Sequence, residues 1–102
     1  MNDIRLPDHC ETMLDVRAGV DATDRELMAL LDRRFGYMRA AARIKPSRDT
    51  VRDEGRKKQV IDNVVADAAE RNLPSQALGE VWEKLVETSI TYELNEWDRT
   101  RG

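Results

Sequence analysis

The chain has 102 residues, enough for one domain and too few for a second independent core. Charged residues make up 36% and hydrophobic residues 40%, so enough apolar surface remains to bury, and two Trp, two Tyr and one Phe are few for an all-β sandwich. Seventeen Lys plus Arg against 20 Asp plus Glu give a net charge of −3, a poor basis for sequence-independent nucleic-acid binding, and the lone Cys10 and lone His9 exclude an internal disulfide, a cysteine zinc site and every two-histidine metal motif.

The opening residues, MNDIRLPDHCET, form a short polar lead-in around Pro7. They carry no apolar stretch of the signal-peptide kind, and no run in the chain approaches a membrane span. A cytoplasmic protein is therefore expected. His9 and Cys10 belong to this lead-in and read as surface residues. A first helix is expected from about Glu11 to Ile44, rich in Ala, Leu, Met, Arg and Glu. Gly19 and Gly36 lower its propensity without breaking its period. Pro46 ends it, because the residue before a proline resists the α conformation. A loop, KPSRDTV, follows. The second helix runs from about Arg52 to Arg71, with Val60, Ile61, Val64, Val65 and Ala68 on one stripe. Pro74 suits the first turn of a third helix, about Ser75 to Arg99, whose apolar side carries Leu78, Val81, Trp82, Leu85, Val86 and Leu94. The fold class is all-α, three helices per chain with no strand-like alternation.

The first helix would be about 50 Å long at the helical rise. A compact chain of this size has a radius of gyration of only about 13 Å. The rest of the chain cannot wrap such a helix, and its apolar residues occupy more than one face. An intertwined helical homodimer with paired long helices is the economical solution.

A heptad-like stripe through that helix visits Arg17, Val20, Asp24, Leu27, Leu31, Arg34, Met38, Ala41 and Lys45. Arg34 and Lys45 are eleven residues apart, about three turns, and point within about 20° of each other. Arg17 lies about 25 Å from Arg34 along the axis, too far to share a small ligand within one straight helix. In an antiparallel dimer, Arg17 of one chain can approach Arg34 of the other. Inward cations require anions, and a dianionic ligand is a natural counter-ion for them. Arg in particular matches a carboxylate with two parallel hydrogen bonds. The alternative is that Arg17 and Arg34 flank the stripe on the surface, paired with Asp21 or Asp24 and with Asp32. On the third helix, Ser89 and Glu93 share a face at i, i+4. Ser89 also suits close helix packing, and Glu93 also suits solvent. Trp82 and Trp97 read as core or dimer packing.

Arg17, then DATDRELMALLDRR ending at Arg34, then Lys45 and VRDEGRK, resemble the all-helical (AroQ-type) chorismate mutases. The segments RRFGYMRAAARIK and YELNEWDRTRG look like the branch that contains the isochorismate-pyruvate lyases. The likeness runs from about Leu14 to Gly102. It implies an intertwined dimer with no cofactor and no metal, acting on a small dianionic substrate. It places Arg17 of the partner chain and Arg34 on the two substrate carboxylates. Lys45 would hydrogen-bond the ether oxygen and a carboxylate, with Asp53, Arg56 and Ser89 completing the pocket. Glu93 stands where many bacterial members have Gln, the second donor to the ether oxygen. An ionised carboxylate has no proton to give, so Glu93 must be protonated for that role, and activity favouring acidic pH is expected. Lys57 stands where bacterial mutases often carry a Glu on the ring hydroxyl. Either it turns outward or the hydroxyl is recognised differently, which leaves chorismate and isochorismate both open. The expected activity is the pericyclic conversion of chorismate to prephenate. The alternatives are isochorismate-pyruvate lyase, releasing salicylate and pyruvate, and a non-catalytic helical dimer module.

Overall fold

The structure is a computed structural model that describes residues 4–101, so the ends of the chain, residues 1–3 and 102, lie outside it. Three α-helices follow in order: α1 (Met13–Ile44), α2 (Glu54–Glu70) and α3 (Ser75–Arg101). Short 3-10 turns stand at Pro7–His9 and Arg48–Thr50, the second inside the expected KPSRDTV loop. No strand occurs among the described residues. The chain divides into two units, Met1–Arg34 and Phe35–Gly102, and α1 contributes to both.

In the first unit, Thr12 and Asp15 explain why α1 starts at Met13 rather than near Glu11. Thr12 Oγ1 accepts from Asp15 N at 3.1 Å, and Asp15 Oδ2 accepts from Thr12 N at 3.2 Å and Glu11 N at 3.0 Å. This reciprocal cap satisfies donors that a helix start leaves without partners. The Glu11 N–H, then that of Thr12 and the Arg5 charge, hold the Asp15 carboxyl below its ordinary value. His9 is exposed and Cys10 half-buried, with the Cys10 thiol 3.6 Å from Leu6 O. A groove of about 470 Å³ in this unit is lined by Ile4, Leu6, Cys10, Val16 and Val20 among others.

In the second unit, Asp53 is the N-cap of α2: its Oδ1 accepts from Arg56 N at 3.0 Å, so the helix starts at Glu54 rather than near Arg52. The other end closes on Asn72, which takes φ 59°. Leu73 N donates to Ala68 O at 2.8 Å and Asn72 N to Ala69 O at 3.1 Å. Those two bonds and the left-handed residue make a Schellman stop, with Asn in the place glycine usually takes. Pro74 then precedes α3 rather than opening it. Its carbonyl accepts the first bond, from Leu78 N at 3.0 Å, which makes it the cap of a helix beginning at Ser75 and running to Arg101, past the expected Arg99.

α2 packs on α3 through the apolar stripes of both helices. Val51, Val86 and Ile90 form the buried centre, with Val60, Ile61, Trp82, Leu94 and Trp97 against it. Each buried aliphatic side chain is worth about 1.5–3 kcal/mol. The helices approach closely at Gly79, where an added Cβ would meet Val65 Cγ2 at 2.8 Å. Of α1, only Ala42 is buried. Leu14, Val20, Leu27, Met28, Leu30, Tyr37 and Ile44 are all exposed along it.

Candidate active site

α1 ends where its sequence says it must, before Pro46, and leaves Lys45 just past the last helical residue. From there the Lys45 side chain reaches across to α3. Its Nζ lies 2.7 Å from Glu93 Oε2 and donates to Val51 O at 3.3 Å. Glu93 is buried, with only 4% of its surface exposed, on the α3 face that also buries Ser89 and Ile90. Although Lys45 is at ion-pair distance, Glu93 Oε2 receives no directed hydrogen bond, so the contact is close but poorly aligned. A carboxylate this enclosed must be neutralised by a neighbouring cation or carry a proton. One turn earlier, Ser89 Oγ donates to Leu85 O at 2.7 Å, the back-bonding usual for serine inside a helix.

Asp53 is occupied as the cap of α2, and the exposed Arg56 guanidinium donates to Gln59 Oε1 at 2.6 Å. Arg34 is half-buried and Arg17 exposed, both in the first unit. Lys57 does not turn outward. Its ammonium is drawn onto α3, 2.8 Å from Glu83 and 2.7 Å from Glu87, and those two carboxylates, Glu83 first, lift its pKa. Arg52 completes the network with two bonds to Glu87, at 2.8 and 3.0 Å. Arg52 first and Lys57 second bring the Glu87 carboxyl down to about 2.

Two contacts beside Lys45 had no signal in the sequence: Trp97 Nε1 donates to Lys45 O at 3.2 Å, and Arg101 Nη2 donates to the same oxygen at 2.8 Å. An indole or guanidinium gives no hint from its position which backbone oxygen it will serve. The apolar groove of the first unit contains none of the candidate residues and offers no paired cations for a dianion. Among the described residues, no three His, Cys, Asp or Glu side chains gather as a metal site. The arrangement around Lys45 puts an ammonium beside an enclosed carboxyl, groups that can together hold an oxygen that gains negative charge.

The family described as chorismate mutase type II matches residues 16–94. The isochorismate pyruvate lyase of Pseudomonas aeruginosa is 24% identical over 99 residues, covering 97% of this chain and 98% of that protein.

Proposed function

This chain belongs to the chorismate mutase type II family, and from that premise we propose that it is a chorismate mutase, converting chorismate to prephenate as an intertwined homodimer in the cytoplasm. The observation that carries the reading is the Lys45–Glu93 pair, a cation and a buried carboxyl 2.7 Å apart. In the rearrangement a C–O bond lengthens ahead of C–C bond formation, and the ether oxygen becomes anionic. The Lys45 ammonium and a protonated Glu93 both donate to that oxygen. These interactions strengthen as the charge grows, so they stabilise the transition state more than the bound substrate. Arg34, with Arg17 from the partner chain, takes the two carboxylates and holds the enolpyruvyl side chain in its reactive geometry. Arg56, Asp53 and Ser89 close the pocket around the remaining carboxylate and hydroxyl contacts. Asp53 and Arg56 would have to leave their present partners to do so. No covalent intermediate and no cofactor is required. Among the described residues no helix is long and apolar enough to cross a membrane.

The second reading is isochorismate-pyruvate lyase. The full-length similarity to a protein of that name favours it. So does the engagement of Lys57 by Glu83 and Glu87, which keeps that position from contacting a ring hydroxyl as an acidic residue would. Both reactions use one cationic pocket. Purified protein offered chorismate and isochorismate separately decides between them. Prephenate from chorismate is the expected result. Salicylate with pyruvate from isochorismate, and no prephenate, would replace the mutase by the lyase, and no product from either substrate would favour a helical dimer without catalysis.

A further inference from the structure

The last carbonyls of a helix have no intrahelical donor and must find one elsewhere. At the end of α1, Ala41 O still accepts from Lys45 N at 2.9 Å. Beyond that the ladder stops, because Pro46 has no N–H to give, and KPSRDTV supplies no glycine for a left-handed cap. The donors come from the last turns of α3. Arg101 Nη1 donates to Ala42 O at 2.9 Å, while Nη2 donates to Lys45 O at 2.8 Å and to Arg43 O at 3.4 Å. Trp97 Nε1 adds a second bond to Lys45 O at 3.2 Å. The guanidinium itself lies over the Trp97 ring, 4.5 Å from its centroid. Next to it, Asp98 holds Arg48 through a two-bond fork at 2.8 and 3.2 Å. One end of α3 thus grips the chain on both sides of Lys45.

A planar fork holds its donors in fixed directions and can fix several carbonyls at once with less freedom than a rotating lysine ammonium leaves. Its charge also complements the negative end of the α1 dipole. The residue whose carbonyl takes two of these bonds is the one whose side chain reaches Glu93. Its backbone is pinned where the side chain departs, so the position of Nζ depends on the grip.

We infer that Arg101, seated on Trp97, is a positioning residue for Lys45 and sets where its ammonium stands against Glu93. The inference rests on the reading of Lys45 as the cation at the reacting oxygen. The test uses full-length Arg101→Ala, Trp97→Phe, Lys45→Ala and the Lys45→Ala/Arg101→Ala double variant. Each is checked for helix content, then assayed for kcat and KM on whichever of chorismate and isochorismate the wild type converts. Arg101→Ala is expected to lower kcat about 10- to 100-fold with KM changing far less, because a misplacement of about 1 Å has that effect on a positioned group. In the double variant, the loss should equal that of Lys45→Ala alone, since a residue that acts only through Lys45 has nothing left to position. Trp97→Phe keeps a ring under the guanidinium but removes one bond to Lys45 O, and should show a smaller drop in kcat.

An unchanged kcat in folded Arg101→Ala overturns the inference, as does an effect of Arg101→Ala that multiplies fully with that of Lys45→Ala. If Arg101→Ala does not fold, Trp97→Phe decides, and a wild-type kcat there overturns it. A wild type that converts neither substrate removes the role of Lys45 and this inference with it. An active wild type that depends on Lys45 but not on Arg101 removes this inference alone.

Discussion

At 2.7 Å, the Lys45 ammonium and an ionised Glu93 carboxylate cancel most of each other's field. That is a poor arrangement for stabilising a third group that becomes negative. Protonating Glu93 changes two things together: the carboxyl becomes a donor, and the Lys45 charge is no longer neutralised. Both changes favour an anionic oxygen beside them. Glu93→Gln has a donor and no charge to mask Lys45, so its kcat should equal or exceed that of wild type at the same pH. The check is kcat and KM for both proteins on the same substrate. A kcat far below wild type in folded Glu93→Gln would remove Glu93 as the donor.

Between elements, the charge network of Arg52, Lys57, Glu83 and Glu87 fastens the start of α2 to α3. The Glu87 carboxyl falls from its ordinary 4.5 to about 2, chiefly through its bonds to Arg52 and then to Lys57. A carboxyl whose folded value is depressed binds its proton more readily in the unfolded chain. The stability it contributes is thus complete above about pH 4.5 and is lost as pH falls toward about 2. Glu87→Gln should lower the thermal midpoint near neutral pH and make its fall across that acid window shallower than in wild type. Because the network is partly exposed, salt should shrink the difference. Parallel slopes for the two proteins would show that the network does not hold α2. The sequence carried part of this level well. The three helices followed from Pro46, Pro74 and the apolar periods, since prolines and amphipathic stripes act locally. The caps moved the boundaries: Thr12 with Asp15 delayed α1, and Asp53 delayed α2. Lys57 could not be placed, because its partners lie a whole helix further along the chain. Trp97 packs against the core as its sequence suggests, but its bond to Lys45 O and those of Arg101 were illegible, because the oxygens they bind belong to the backbone, which has no sequence signature.

For the molecule as a whole, α1 is the element out of balance. It has 32 residues, and Ala42 is the only buried one. Leu14 is 76% exposed, Ile44 72% and Met28 66%, a load of apolar surface that a single chain leaves in water. The proposed dimer covers it with the same helix of a second copy. The dimer also supplies what one straight helix cannot, because the helical rise puts Arg17 about 25 Å from Arg34. Each site then draws Arg17 from one chain and Arg34, Lys45 and Glu93 from the other. This composition can be tested without a ligand-bound structure. Arg17→Ala and Lys45→Ala homodimers each carry a defect in both sites, and both should lose most turnover. In a mixed dimer the two defects fall together in one site, and the other site is intact. Mixing the two variants after reversible denaturation should therefore recover up to about one quarter of wild-type activity, half of the dimers being mixed and each having one good site of two. Tagged chains confirm that mixed dimers have formed. Recovery would place Arg17 across the interface. No recovery from confirmed mixed dimers would confine each site to one chain, and the cationic stripe of α1 would then need another explanation.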